Sequence, residues 1–190
     1  MSDTQTSQGD IVFRGKLFEV VQTKQPDGRV FELARRAPGV RIIVADKQKR
    51  QLLLTKEFRT ELNDWDHRLP GGKVFDTLAE YDKFRESGAD IAVPALAKVK
   101  GEGAEEAGLD IRDAKLFKKS TLGATVEWDL FIFEAIDWRP HADGQQLEAG
   151  EQIEADNWFG YDEVKTMILA GHMAEDRVAL ILLQWLSLQG

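Results

Sequence analysis

The chain has 190 residues, 43% hydrophobic and 31% charged, with no cysteine and 25 Lys+Arg against 33 Asp+Glu, a formal net charge of −8. That length suits one domain with its own core, and the missing cysteine excludes disulfides, thiolate metal sites and cysteine nucleophiles. The acidic balance argues against nucleic acid as a partner, because phosphate-backbone binding draws on a Lys/Arg excess.

Residues 1–10 are polar, with neither an apolar signal core nor an Arg-rich transit pattern, and read as a disordered tail. No apolar run approaches the roughly 20 residues of a membrane span, so a cytoplasmic protein with no membrane partner is expected. Ile11–Phe13, Leu17–Thr23 and Arg29–Arg35 read as strands, the last two flanking the turn Gln25-Pro26-Asp27-Gly28. They predict a small antiparallel subdomain over 11–37, closed by the break Ala37-Pro38-Gly39. A main domain over 38–190 follows. It opens with a hairpin, Val40–Ala45 and Leu52–Phe58 joined by Asp46–Arg50, and continues into a loop, Asn63–Gly72 (NDWDHRLPGG).

Leu78, Tyr81 and Phe84 have helical spacing within Asp76–Glu86, which Ser87-Gly88 ends. Ile91–Ala107 is a second helix, with Pro94 suited to a first turn and Gly108 to a C-terminal stop. Ala114–Ser120 and Val126–Ile136 read as strands around the loop Thr121–Thr125. Asp137–Gly150 reads as an acidic loop and Ile153–Phe159 as a strand. Tyr161–Ala170 and Ala174–Leu188 read as closing helices. The class is α+β, a mixed sheet between helices.

Chemistry concentrates in Lys100–Leu109 (KGEGAEEAGL). Glu102, Glu105 and Glu106 at i, i+3 and i+4 fall on one helical face, where like charges cost a few tenths of a kcal/mol per pair. A solvated acidic stripe is one reading. A hard divalent cation with oxygen ligands is the other, able to assist phosphoryl displacement.

Leu69-Pro70-Gly71-Gly72-Lys73, followed by Glu102-x-x-Glu105-Glu106-x-Gly108-Leu109, resembles the signature of the Nudix hydrolases, G-x5-E-x7-R-E-U-x-E-E-x-G-U with U aliphatic. Glu57-Phe58-Arg59, Trp65–Gly72, Thr121–Glu127 and Gly171-His172 before an apolar helix extend the resemblance to the ADP-ribose pyrophosphatase-like branch. The resemblance implies the Nudix fold and hydrolysis of a nucleoside diphosphate sugar, ADP-ribose favoured, with Mg2+ or Mn2+. It also implies a homodimer through the N-terminal sheet. Glu102, Glu105, Glu106 and the Gly71 carbonyl are the implied metal ligands. Glu106 and Glu127 are the implied catalytic residues, Glu127 matching a loop glutamate that activates water or binds a further cation. Arg59 and Arg68 are candidates for phosphate contact, and Trp65, with Trp128, for stacking on a base. His67, near the Pro-Gly-Gly turn, is a lesser candidate base, and none of the three histidines has a partner at zinc-site spacing.

The sequence also departs from the signature. The signature puts its arginine 14 positions after the glycine, whereas the equivalent, Gly101, stands 29 after Gly72, an insertion of about 15 residues covering the first helix. The signature's first glutamate cannot be placed; Asp76, Glu80 and Glu86 compete for it. The arginine is Gly101 and its aliphatic neighbour is Gly103, so the helix is expected to be looser or bent there. Lys98 and Lys100 are nearby cations at offsets that project differently from the missing arginine. The alternative is a catalytically weak or inactive Nudix-fold module that binds a nucleotide.

Overall fold

The computed structural model describes residues 9–123, 125–147 and 149–190, apart from the side chain of Asp156. Among the described residues, ten strands and four helices follow in chain order. The strands are β1 Asp10–Arg14, β2 Phe18–Lys24, β3 Val30–Arg36, β4 Gly39–Ile43, β5 Ala45–Asp46, β6 Gln51–Arg59, β7 Asp64–Arg68, β8 Leu109–Gly123, β9 Val126–Pro140 and β10 Ile153–Gly160. The helices are α1 Leu78–Ser87 and α2 Ala92–Glu105, before β8, and α3 Tyr161–Leu169 and α4 Asp176–Ser187, after β10.

One sheet has six strands in the order β1-β2-β3-β9-β4, with β8 also paired to β9; the other has four, β10-β6-β5, with β7 on β6. β9 is the centre of the larger sheet. It pairs parallel with β4 (Gly39↔Leu130 to Ile43↔Glu134) and with β3 (Ala34↔Val126), and antiparallel with β8. The N-terminal strands are thereby continuous with the main sheet.

Alternation along three strands places the core. Ile43, Leu52, Leu54, Leu130 and Ile132 pack with Val164, Val178, Leu182 and Trp185 of α3 and α4. Their neighbours Ile42, Leu53, Phe131 and Phe133 face the other way, onto Ala95 and Val99 of α2. A period of two on β4, β6 and β9 therefore puts helices on both sides of the strands. The fold is α+β with a mixed sheet between helices, as expected.

Several boundaries differ from the sequence expectation. Asn63–Gly72 is not all loop: Asp64–Arg68 forms β7, antiparallel to β6 from Thr55↔Arg68 to Arg59↔Asp64. β8 begins at Leu109, and β9 runs on to Pro140, so Asp137–Pro140 is strand. In the expected hairpin, only Ala45↔Leu52 and Asp46↔Gln51 pair as strands, while β4 runs beside β9. The tail expected over 1–10 lies outside the described residues up to residue 8, and Asp10 already belongs to β1. The inserted helix forms as α1, capped by Thr77, whose side chain accepts from the Glu80 N–H at 3.1 Å.

α2 runs unbroken through both glycines. Gly103 has a packing reason: a Cβ there would lie 2.5 Å from Ile111 Cδ1 and 3.3 Å from the Leu109 carbonyl, so the glycine lets α2 sit close on β8. Gly101 has none, a Cβ meeting only Glu105 Oε1 at 3.6 Å.

Candidate active site

The Pro-Gly-Gly turn after β7 runs beside β4, with Ile42 N–H donating to Pro70 O and Val40 N–H to Gly72 O, both at 2.9 Å. Gly71 has φ +145°, and any side chain there would strike the backbone of Val40 and Arg41. The turn carries two contacts to the last turn of α2. Gly71 N–H donates to Glu106 Oε2 at 2.7 Å, and the Glu102 carboxylate packs on Gly72, where a Cβ would overlap it. Two of the three signature glutamates thus meet at this turn, with Glu105 on the same face.

Lys98, one turn earlier, reaches them: its Nζ lies 3.0 Å from Glu102 Oε1 and 3.7 Å from Glu105 Oε2. It supplies the cation that Gly101 cannot. Burial raises the Glu102 carboxyl above its ordinary pKa against the pull of Lys98. Burial, and then the charge of Glu102, push Glu106 up to about 8, against the Gly71 N–H and Arg41. The three acids also occupy the negative end of the α2 dipole, with no basic residue of the last turn beside them.

A cleft of about 270 Å³ opens over this face. Its acidic floor is Glu102, Glu105 and Glu106, and its walls include Arg36, Arg41, Arg59, Arg68 and Trp128. Arg41 donates from Nη1 to Gly71 O at 2.7 Å and from Nη2 to Glu175 Oε2 at 3.1 Å. Arg68 donates to the same Glu175 oxygen at 2.7 Å, and Arg177 lies 3.9 Å from Glu175 Oε1. Burial acts to raise Glu175, but Arg41, Arg68 and Arg177 together hold it below the ordinary carboxylate value. Arg59 is held by Glu57 and Glu61, each at 2.7 Å. These carboxylates balance much of the wall's charge, so what the wall offers an anion is a set of planar guanidinium donors.

The expected site residues divide. Glu102, Glu105, Glu106, Gly71, Arg59 and Arg68 all line the cleft. Glu127 and Trp65 are not among the residues lining it. Glu127 accepts from Arg35 Nε at 3.2 Å, and Arg35 also holds Glu19, which Arg14 joins to Asp82 of α1. Trp65 packs edge-on against Phe58, with Lys56 Nζ 4.9 Å from its ring centroid. Trp128 does line the cleft, its ring engaged by Arg36 and Arg177, each 4.3 Å from the centroid. His67 packs edge-on against Phe159.

Sequence reasoning missed Arg41, Glu57, Glu151 and Glu175. Arg41 had a signal, a charged residue inside the apolar strand Val40–Ala45 with 9% exposure. Glu151 had none, standing just after the acidic stretch Asp137–Gly150 yet lining the cleft beside Glu57 and Arg59.

Whether the acidic floor fits a divalent cation is decided by its donors. They are all oxygens, they repel one another at a helix C-terminus, and a lysine already offsets two of them. That chemistry fits a hard cation. Among the described residues no three acidic or histidine side chains already surround one point as ligands, so accepting a cation requires side chains, Lys98 above all, to rearrange.

No family model matches the chain, and no curated protein matches it in sequence. Among solved structures, it is similar to the crystal structure of an ADP compounds hydrolase, with a TM-score of 0.65 and 21% identity over 95% of this chain and 92% of that one. The likeness is one of fold. Among the described residues no helix is long and apolar enough to cross a membrane.

Proposed function

We propose that the chain is a divalent-cation-dependent diphosphate hydrolase that cleaves a nucleoside diphosphate sugar, with ADP-ribose the favoured substrate. One observation carries the reading: a single cleft sets three carboxylates at the end of α2, two of them on a Pro-Gly-Gly turn, against a wall of arginines. The similarity in fold to an ADP compounds hydrolase and the signature residues Glu102, Glu105, Glu106 and Gly108 lend it support.

Glu102, Glu105 and Glu106, with the second lone pair of the Gly71 carbonyl, would hold Mg2+ or Mn2+. Such a cation lowers the pKa of water and neutralises charge on phosphate oxygens. Arg41, Arg59 and Arg68 offer planar donors for the two phosphates. Water adds through oxygen to one phosphorus of the P–O–P link, the bridging P–O bond breaks, and its electron pair leaves with the other phosphate. The products are a nucleoside monophosphate and a sugar phosphate. The proton needs a carboxylate on the cleft. Glu151 lines the cleft and Glu127 does not, which favours Glu151 for that role. Glu106→Gln in a protein that still folds should abolish cation-dependent hydrolysis of ADP-ribose, and full activity would overturn the reading.

A homodimer through the N-terminal strands belongs to the same proposal, supported by the exposed apolar side chains Ile11, Val12, Phe13, Phe18, Val30 and Phe31. Sedimentation should give a dimer that Phe13→Glu with Phe31→Glu converts to monomer; a wild-type monomer would refute it.

A further inference from the structure

Resting on the cation-dependent reading above, we infer that Lys98 is an exchangeable counter-ion whose ammonium must leave the acidic cluster before a divalent cation enters, so that this residue sets the cation affinity. Both ion pairs that Glu102 and Glu105 make among the described residues are to Lys98, at 3.0 and 3.7 Å. The oxygens it covers are the ones the cation needs. An ammonium and a divalent ion cannot share them, because like charges a few ångströms apart repel strongly where water is partly excluded.

The lysine can leave without moving the backbone. Its side chain is 26% exposed, and its four-carbon stem is flexible. Gly101, one turn on along the same helix, leaves open space, a Cβ there meeting only Glu105 Oε1. Asp76, on the cleft wall, offers the released ammonium another carboxylate, 3.9 Å from Lys73. Glu106 gains no ion pair from Lys98 and is met instead by the Gly71 N–H, so the lysine compensates the cluster incompletely and a divalent ion gains by replacing it.

The test is calorimetric titration of the full chain with Mn2+ alone at fixed ionic strength, comparing wild type with Lys98→Met and Lys98→Arg. Helix content is checked by circular dichroism, and Lys98→Gln serves as a second charge-free variant should the first fold poorly. Removing the competing charge should tighten Mn2+ binding roughly ten-fold, in line with how strongly ligand charge tunes such sites, while Lys98→Arg stays near wild type. Equal or weaker binding by the charge-free variants overturns the inference and leaves the cation-dependent reading standing. Absence of Mn2+ binding in every protein overturns both.

Discussion

The backbone N–H of Gly71 meets the carboxylate of Glu106 at 2.7 Å, joining a turn to a helix end 35 residues later in the chain. Glu106 is nonetheless raised to about 8, because burial and the neighbouring Glu102 outweigh that bond and Arg41. Between the ordinary value of 4.5 and about 8, the unfolded chain has lost this proton and the folded one retains it. The folded state binds more protons there, so stability falls as pH rises, by at most about 1.4 kcal/mol per pH unit for one group. Urea denaturation in chelator-treated buffer should show wild type losing stability from pH 5.5 to 8, and Glu106→Gln losing less. Parallel pH profiles would contradict this.

The core strands and the acidic helix were readable because each is a local pattern: Val40–Ala45, Leu52–Phe58 and Val126–Ile136 are apolar-rich runs of strand length, and i, i+3, i+4 glutamates share one helical face. β7 was not readable, since Asp64–Arg68 is a charged edge strand whose order comes from its ladder with β6. Nor was the arginine wall, in which Arg41 and Glu175 meet across 134 residues. The role of Lys98 lay between these cases. Its i, i+4 offset from Glu102 was visible, but its reach to Glu105 as well depends on how the side chains lie.

Glu175 is the shared anchor of Arg41 and Arg68. Glu175→Gln takes from the largely buried Arg41 its ion-pair partner and leaves Arg68 only the longer contacts to Glu57 and Asp66 at 3.7 and 3.8 Å, and should cost about 3 kcal/mol at neutral pH, as well as weakening binding of ADP. Because Glu175 is held below its ordinary value, the ionised form contributes stability above 4.5 that fades as pH falls through the lowered value. The penalty of the variant, measured by urea denaturation, should therefore shrink on acidification below 4.5.

The two glycines of α2 should respond in opposite senses. Gly101→Ala meets open space and gains helix propensity, so it should stabilise by up to about 1 kcal/mol. Gly103→Ala drives a methyl into Ile111 and should lose about 1 kcal/mol net, since overpacking outweighs propensity. Thermal and chemical denaturation of both variants checks the pair of signs.

Glu151 and Glu127 are separable by kinetics. Glu151→Gln should lower kcat by about 100-fold or more, as loss of a general base does. Glu127→Gln should leave kcat near wild type and weaken the Arg35 network that ties β3 to β9. The reverse outcome would return the catalytic role to Glu127.

The most direct measurement is ³¹P NMR of ADP-ribose incubated with the protein and Mg2+ in ¹⁸O-enriched water. The account predicts that the diphosphate resonances give way to two phosphomonoester resonances, one carrying the isotope shift of a single ¹⁸O, and that chelator or Glu106→Gln stops the change. Undiminished turnover in chelator, or no turnover of ADP-ribose by the wild-type chain with Mg2+ or Mn2+, would contradict it.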